Sequence, residues 1–226
     1  MLPLLHKFQP NANVFRGPAA TVRWVGNEDG VTSYPCWATT PSRDSSGSGD
    51  PEGKVWLPGE CDVPLPGHEW FWTPNQRTDI EPLPRLLDMY YRSVGRNCNL
   101  LLNATPGPDG LIPEANLRHY AEFGRQIRRR FETPLGETSG EGEGVELKLP
   151  RIQRVDHVVC MEDIKRGERV RAVPEFLVTW IAYCLLGWIF LDLVKSFRVA
   201  SFAPLCPCGV VYGWVAEGFE YRRMAR

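Results

Sequence analysis

A short apolar run closed at both ends by asparagine, Asn99-Leu100-Leu101-Leu102-Asn103, constrains this chain more than any other feature. It is too short for a helix, and Thr105-Pro-Gly-Pro-Asp-Gly110 follows it, so it reads as a parallel strand buried on both faces. On one side, Pro84 to Val94 places Leu86, Leu87, Tyr90, Tyr91 and Val94 at helical spacing. On the other, Pro113 to Phe131 does the same with Leu117, Tyr120, Phe123, Ile127 and Phe131. Pro113 suits a first helical turn, Glu114 complements the positive helix start, and Arg128-Arg129-Arg130 complements the negative end. Earlier strands are expected at 13–15, 21–25, 55–57 and 70–72. Helix, buried strand, Gly/Pro loop, helix is the grammar of an α/β fold, which places ligands in the loops after its strands.

Composition narrows the function. With 226 residues, 43% of them hydrophobic, the chain can bury a sizeable core. Lys+Arg number 26 against 27 Asp+Glu, so no broad basic field is available for nucleic acid or an anionic membrane. Eight Trp and seven Tyr offer aromatic faces suited to the apolar faces of sugars, although any single Trp is first a core residue. The seven cysteines are scattered and odd in number. Cys206-Pro-Cys208 lacks the two-residue gap of a redox motif, and no second Cys/His pair completes a zinc site, so no metal is expected. Met1-Leu-Pro-Leu-Leu-His-Lys has no long apolar core and meets Gln9-Pro10 early, which is unlike a secretory signal and suggests an internal start.

The chain divides by composition into 1–135, a Gly-rich acidic linker at 136–144, a β-rich stretch at 145–172 and an apolar tail at 173–226. In the β-rich stretch Leu147, Leu149, Ile152, Val155, Val158 and Val159 are spaced like strands, and 164–170 contains a turn. In the tail, Phe176 to Val194 has the length of a membrane span, but Asp192 interrupts it, and a non-native or alternatively spliced segment is the preferred reading. A membrane partner is expected only if 176–194 is a true anchor. A complete eight-fold α/β barrel takes about 250 residues, so the 172 residues before the tail hold at most half of one.

Two segments carry the chemistry. Thr21-Val-Arg-Trp-Val-Gly-Asn-Glu-Asp-Gly30 and Trp56-Leu-Pro-Gly-Glu-Cys-Asp-Val63 resemble the active-site side of the α-L-fucosidase family of glycoside hydrolases, closest to its α-1,3/4 branch. The resemblance continues through Glu69-Trp-Phe-Trp72 and from Met89 to Gly110, and ends with the helix to Phe131 and the stretch to Arg171. It implies a partial (β/α)8-type barrel followed by the beginning of a β-sandwich. It also implies retaining cleavage of terminal α-L-fucose from a fucosylated oligosaccharide or glycoprotein glycan, in a secreted or lysosomal setting.

Retaining glycosidases use two carboxyl groups about 5–5.5 Å apart, one attacking the anomeric carbon and the other donating and recovering a proton; no cofactor is needed. Glu28 is the expected acid/base, because it matches the family's glutamate and ends a short strand in a Gly-flanked turn. Glu60 is the rival. The substrate-binding candidates are Arg23, Trp24, Asn27, Asp62, Trp70 and Trp72, the last two as a stacking platform, while His68 reads as a loop residue. The family's nucleophile is an aspartate on an earlier strand, and no Asp precedes Glu28 here, so this chain is expected to be inactive alone. The alternatives are a catalytically dead sugar-binding fragment and an unstable splice product. Asn103-Ala-Thr105 is formally a glycosylation sequon but reads as a structural asparagine at a strand end.

Overall fold

The computed structural model describes residues 2–66, 70–72, 80–140, 144–153, 155, 157–162, 175–177, 194–200 and 209–214. The chain divides into two compact units, Met1–Arg128 and Arg129–Arg226. The first contains α1 (Leu2–Phe8), β1 (Arg23–Trp24), β2 (Thr39–Thr40), β3 (Val55–Trp56) and β4 (Gly59–Pro64). It continues with α2 (Leu83–Ser93), a 3-10 turn (Val94–Arg96), β5 (Cys98–Asn103) and α3 (Glu114–Phe131), the last reaching just past the boundary.

Strands β1, β4 and β5 form a parallel sheet with β4 in the centre. A parallel bridge between Phe15 and Val22 extends it beyond β1, and β2 pairs with β3 as a separate antiparallel ribbon. Side chains alternate across a strand, so β4, reading Gly-Glu-Cys-Asp-Val-Pro, sorts its residues to two faces. Cys61 and Val63 share one face with Leu100 and Leu102, which lie beside them in register. That face lies under the helices: Val63, Leu65, Leu86 and Met89 form the core, with Leu100, Leu102, Tyr120 and Phe123 packed against it. Each of these fully buried aliphatic side chains contributes roughly 1.5–3 kcal/mol. The Tyr120 hydroxyl donates to the Leu102 carbonyl at 2.6 Å, tying α3 to β5.

The other face carries Trp24, Glu60, Asp62, Asn99 and Leu101. The expectation that Leu100–Leu102 is buried on both sides is therefore corrected: Leu101 is 40% exposed and Asn99 is exposed. The reason is asymmetric cover, since α2 and α3 both pack on the aliphatic side and leave the carboxylate side open. Two further differences stand out. Trp70–Trp72 is irregular backbone rather than strand, and β4 was not anticipated as one. With two acids and a cysteine between Gly and Pro, β4 has none of the β-branched enrichment that usually marks a strand. The helices fall close to their expected bounds, but α2 buries Leu86, Met89 and Ser93, whereas Val94 is exposed.

The second unit contains β6 (Glu137–Gly140), β7 (Gly144–Gln153), β8 (His157–Glu162), β9 (Glu175–Leu177), β10 (Val194–Ala200) and β11 (Gly209–Trp214). All described pairings here are antiparallel, in two sheets ordered β7-β10-β9 and β6-β11-β8. Buried Leu147 and Leu149 alternate with exposed Glu146 and Lys148, a one-sided strand pattern. The structure departs from the compositional reading in two places: β6 lies within the segment read as linker, and β9, β10 and β11 lie in the tail. Strand pairing in both sheets supplies backbone partners that local composition does not announce. Residues 178–193, most of the apolar run, lie outside the described residues, as does the turn at 164–170. Among the described residues, no helix is long and apolar enough to cross a membrane.

Candidate active site

The open face of the sheet and the loops at its carboxyl ends gather the candidate residues. Trp24, the second residue of β1, pairs with Glu60 in register and so points to the same side. Its indole Nε1 donates to Asp62 Oδ1 at 2.6 Å and to the Asn27 carbonyl at 3.2 Å, so one ring joins the strand to the turn that carries Glu28. Asn27 closes that turn from within: its Nδ2 donates to the Val31 carbonyl at 3.1 Å, and its Oδ1 accepts the Asp29 N–H at 3.0 Å. Such side-chain closure is the reason Asn and Asp occur in turns. Gly26, at φ 98°, starts the turn in a conformation that a side chain would strain.

Glu28 is exposed at the tip, and its Oε2 accepts the Trp70 Nε1–H at 2.9 Å. Trp70 is held in turn from β5, because Asn103 Nδ2 donates to its carbonyl at 3.1 Å and to Thr105 Oγ1 at 3.2 Å. Asn103 is half-buried, and its amide positions the loop that carries the tryptophan.

The carboxylates differ in setting. Burial, and then the negative charge of Asp62, push Glu60 above the ordinary carboxylate range. Asp62 is also raised by burial, against the opposing effect of its bond from Trp24; Glu28 raises it further and Arg16 counteracts. Three acids thus share one electrostatic neighbourhood, the arrangement in which a carboxyl group keeps its proton to higher pH. Glu60 is the second residue of β4, deep in the sheet, whereas Glu28 follows β1 at the carboxyl end, where α/β folds carry their chemistry.

Not every candidate is brought to this place. Arg23 points to the other face and is fully buried. Its guanidinium donates to the Gly47 carbonyl at 2.9 Å, the Trp37 carbonyl at 2.6 Å and the Leu57 carbonyl, so the expectation that it lines the sugar does not fit its placement. Register explains this: one residue along a strand reverses the side a side chain faces. Trp72 is 41% exposed. His68 lies outside the described residues. Sequence reasoning missed Arg16, whose guanidinium stands 5.2 Å from the centre of the Trp24 ring. The only local sign was its place before Gly17-Pro18, a turn that takes Arg16 to φ 63°. Among the described residues, no group of His, Cys, Asp and Glu could hold a metal ion.

Comparison with known proteins finds α-L-fucosidases similar to this chain. The chain is 38% identical to α-L-fucosidase 1 of Arabidopsis thaliana over 58% of its own length. A crystal structure of an inferred α-L-fucosidase from Bacteroides thetaiotaomicron superposes with a TM-score of 0.71 at 30% identity, covering 96% of this chain and 53% of that one. A Ruminococcus gnavus fucosidase crystallised with fucose shares the fold at 23% identity and a TM-score of 0.61, covering 90% of this chain and 50% of that one. No family model matches the chain. These similarities support a glycoside hydrolase of the α-L-fucosidase type, and the chain spans 27% of the length of the Arabidopsis relative and 53% of the Bacteroides one.

Proposed function

We propose that this chain supplies the acid/base side of a retaining α-L-fucosidase site, acting on terminal α-L-fucose of an oligosaccharide or glycoprotein glycan. Glu28 is the general acid/base. It protonates the leaving oxygen in the first step and takes a proton from water in the second. The observation that carries this reading is the 2.9 Å bond from Trp70 to Glu28, which aims the carboxyl over the open face beside Asp62 and Trp24. Asp62 and Glu60 then serve as acceptors for sugar hydroxyls, and Trp72 offers a stacking surface. Arg23 anchors the loop through its carbonyl partners. The α/β unit forms part of a (β/α)8-type barrel, and the antiparallel unit begins a β-sandwich.

The resemblance puts the family's attacking aspartate on an earlier strand, and the proposal is that these 226 residues by themselves do not turn over. Joining the missing strands of the Bacteroides relative to this chain as a chimaera is expected to restore hydrolysis of an aryl α-L-fucoside, and Glu28→Gln to abolish it again. Turnover by the purified chain alone would contradict the division of the site. A binding-only role rests on exposed Phe71 and Trp72, 81% and 41% exposed. It predicts fucose binding that Phe71→Ala weakens while Glu28→Gln leaves it unchanged.

A further inference from the structure

On the covered face of the sheet, opposite Glu60 and Asp62, cysteines from three segments converge. Cys36, Cys61 and Cys98 are 4%, 0% and 6% exposed and form one core cluster with Val25. The sulfurs of Cys36 and Cys98 stand 3.4 Å apart. Thr32 Oγ1 donates to Cys36 Sγ at 3.4 Å, and Arg23 Nη2 approaches the same sulfur at 3.5 Å. The proposed fucosidase chemistry uses none of these thiols.

The two segments are already fastened together around this contact. The Thr32 N–H donates to the Arg92 carbonyl at 2.9 Å, the Arg96 guanidinium donates to the Thr32 carbonyl, and Asn97 Nδ2 donates to the Cys36 carbonyl at 3.3 Å. A disulfide has an S–S length of about 2.05 Å, so closure needs an approach of about 1.4 Å, within reach of side-chain rotation. Cys61 is placed differently. In the β4–β5 register Cys98 faces Gly59 and Cys61 faces Leu100, so those two cysteines sit diagonally on strands fixed by their ladder.

We propose that Cys36 and Cys98 are a disulfide-forming pair, oxidised by a small-molecule disulfide such as oxidised glutathione while the chain closes, and that Cys61 stays a thiol. In the first step one cysteine thiolate attacks a glutathione sulfur, breaking the S–S bond and releasing one glutathione thiolate. In the second, the other cysteine thiolate attacks the mixed disulfide, forming Cys36–Cys98 and releasing the second glutathione. Two electrons pass to glutathione, and the two thiol protons end on its two released thiols. Timing follows from burial. The hydrogen bond with Cys98 and then burial hold the Cys36 thiol far above its ordinary range, despite Thr32 and Arg23. The bond to Cys36 lowers Cys98, but its contact with Cys61 and burial outweigh this and push it up to about 12. Protonated buried thiols do not attack disulfides, so the exchange belongs to the closing chain.

The test refolds the full chain from denaturant, once with oxidised glutathione and once with dithiothreitol. N-ethylmaleimide then blocks free thiols in denaturant, and unreduced proteolytic peptides are mapped by mass spectrometry. With oxidised glutathione, the Cys36 and Cys98 peptides are expected joined, in about tenfold excess over any other pairing of either, with Cys61 carrying maleimide. Cys61→Ala and Cys61→Ser should each keep that link. Maleimide or glutathione on both Cys36 and Cys98, or Cys98 linked to Cys61 or scattered among other cysteines, overturns the proposal.

Discussion

Glu28 is held by its neighbours rather than by burial: Asn27 closes the turn beneath it, and Trp70 reaches its carboxyl from a loop fastened by Asn103. The turn was legible in Gly26-Asn27-Glu28-Asp29-Gly30, because those residue types announce one. The Trp70 and Asn103 contacts, 42 and 33 residues apart in the chain, have no local signature. Replacing Trp70 with Phe keeps the ring and removes the N–H. In an active chimaera it should lower kcat/KM for an aryl fucoside about tenfold, roughly one charge-assisted hydrogen bond; unchanged kinetics would show that this bond does not position Glu28. Glu60 and Asp62 make a second prediction. Both are raised by burial, so the folded chain binds more protons than the unfolded one. Their contribution to stability is present below the ordinary carboxylate range and lost as pH rises through the raised values. Asp62→Asn removes the charge that helps raise Glu60, so a carbon-13 NMR titration should find Glu60 ionising at lower pH than in the parent. An unchanged or higher titration would contradict the coupling.

At the scale of elements, the two helices and β5 were readable because their patterns are long or uniform, and β4 was not, because two acidic residues and a cysteine replaced the usual strand composition. The burial of Arg23 was not legible for a related reason: the motif shows which residues are adjacent in sequence but not which face each takes. Its buried fork satisfies carbonyls at Trp37, Gly47 and Leu57. Arg23→Lys is therefore expected to destabilise the α/β unit by about 2–4 kcal/mol, since an ammonium cannot span three separated acceptors. Its thermal unfolding midpoint should fall while the sugar contacts of a folded chimaera stay intact. A normal midpoint with lost sugar binding would return Arg23 to the substrate. Gly59 is equally constrained, because a Cβ there would meet Cys98 Sγ at 2.7 Å and Val25 Cγ1 at 3.1 Å. Gly59→Val should separate β4 from its neighbours and cost about 1–3 kcal/mol or more, measured by the same unfolding midpoint.

For the whole molecule, sequence motifs were enough to indicate the family and the α/β class, since they join several loops of one fold. The arrangement of the antiparallel unit was not legible, because its strands pair across long separations, as β6 does with β11. The central claim is that Glu28, and not Glu60, handles the proton. Both glutamates lie on the open side of the sheet, so the decision needs chemistry that separates the two steps of a retaining enzyme. The measurement is hydrolysis of aryl α-L-fucosides of graded leaving ability by the chimaera carrying Glu28→Ala or Glu60→Ala, with and without azide. Loss of the general acid should slow poor leaving groups most, and azide, which needs no general base, should rescue the second step and yield fucosyl azide. The account predicts this pattern for Glu28→Ala and a uniform loss without rescue for Glu60→Ala. Rescue of Glu60→Ala alone would move the acid/base to β4 and contradict it.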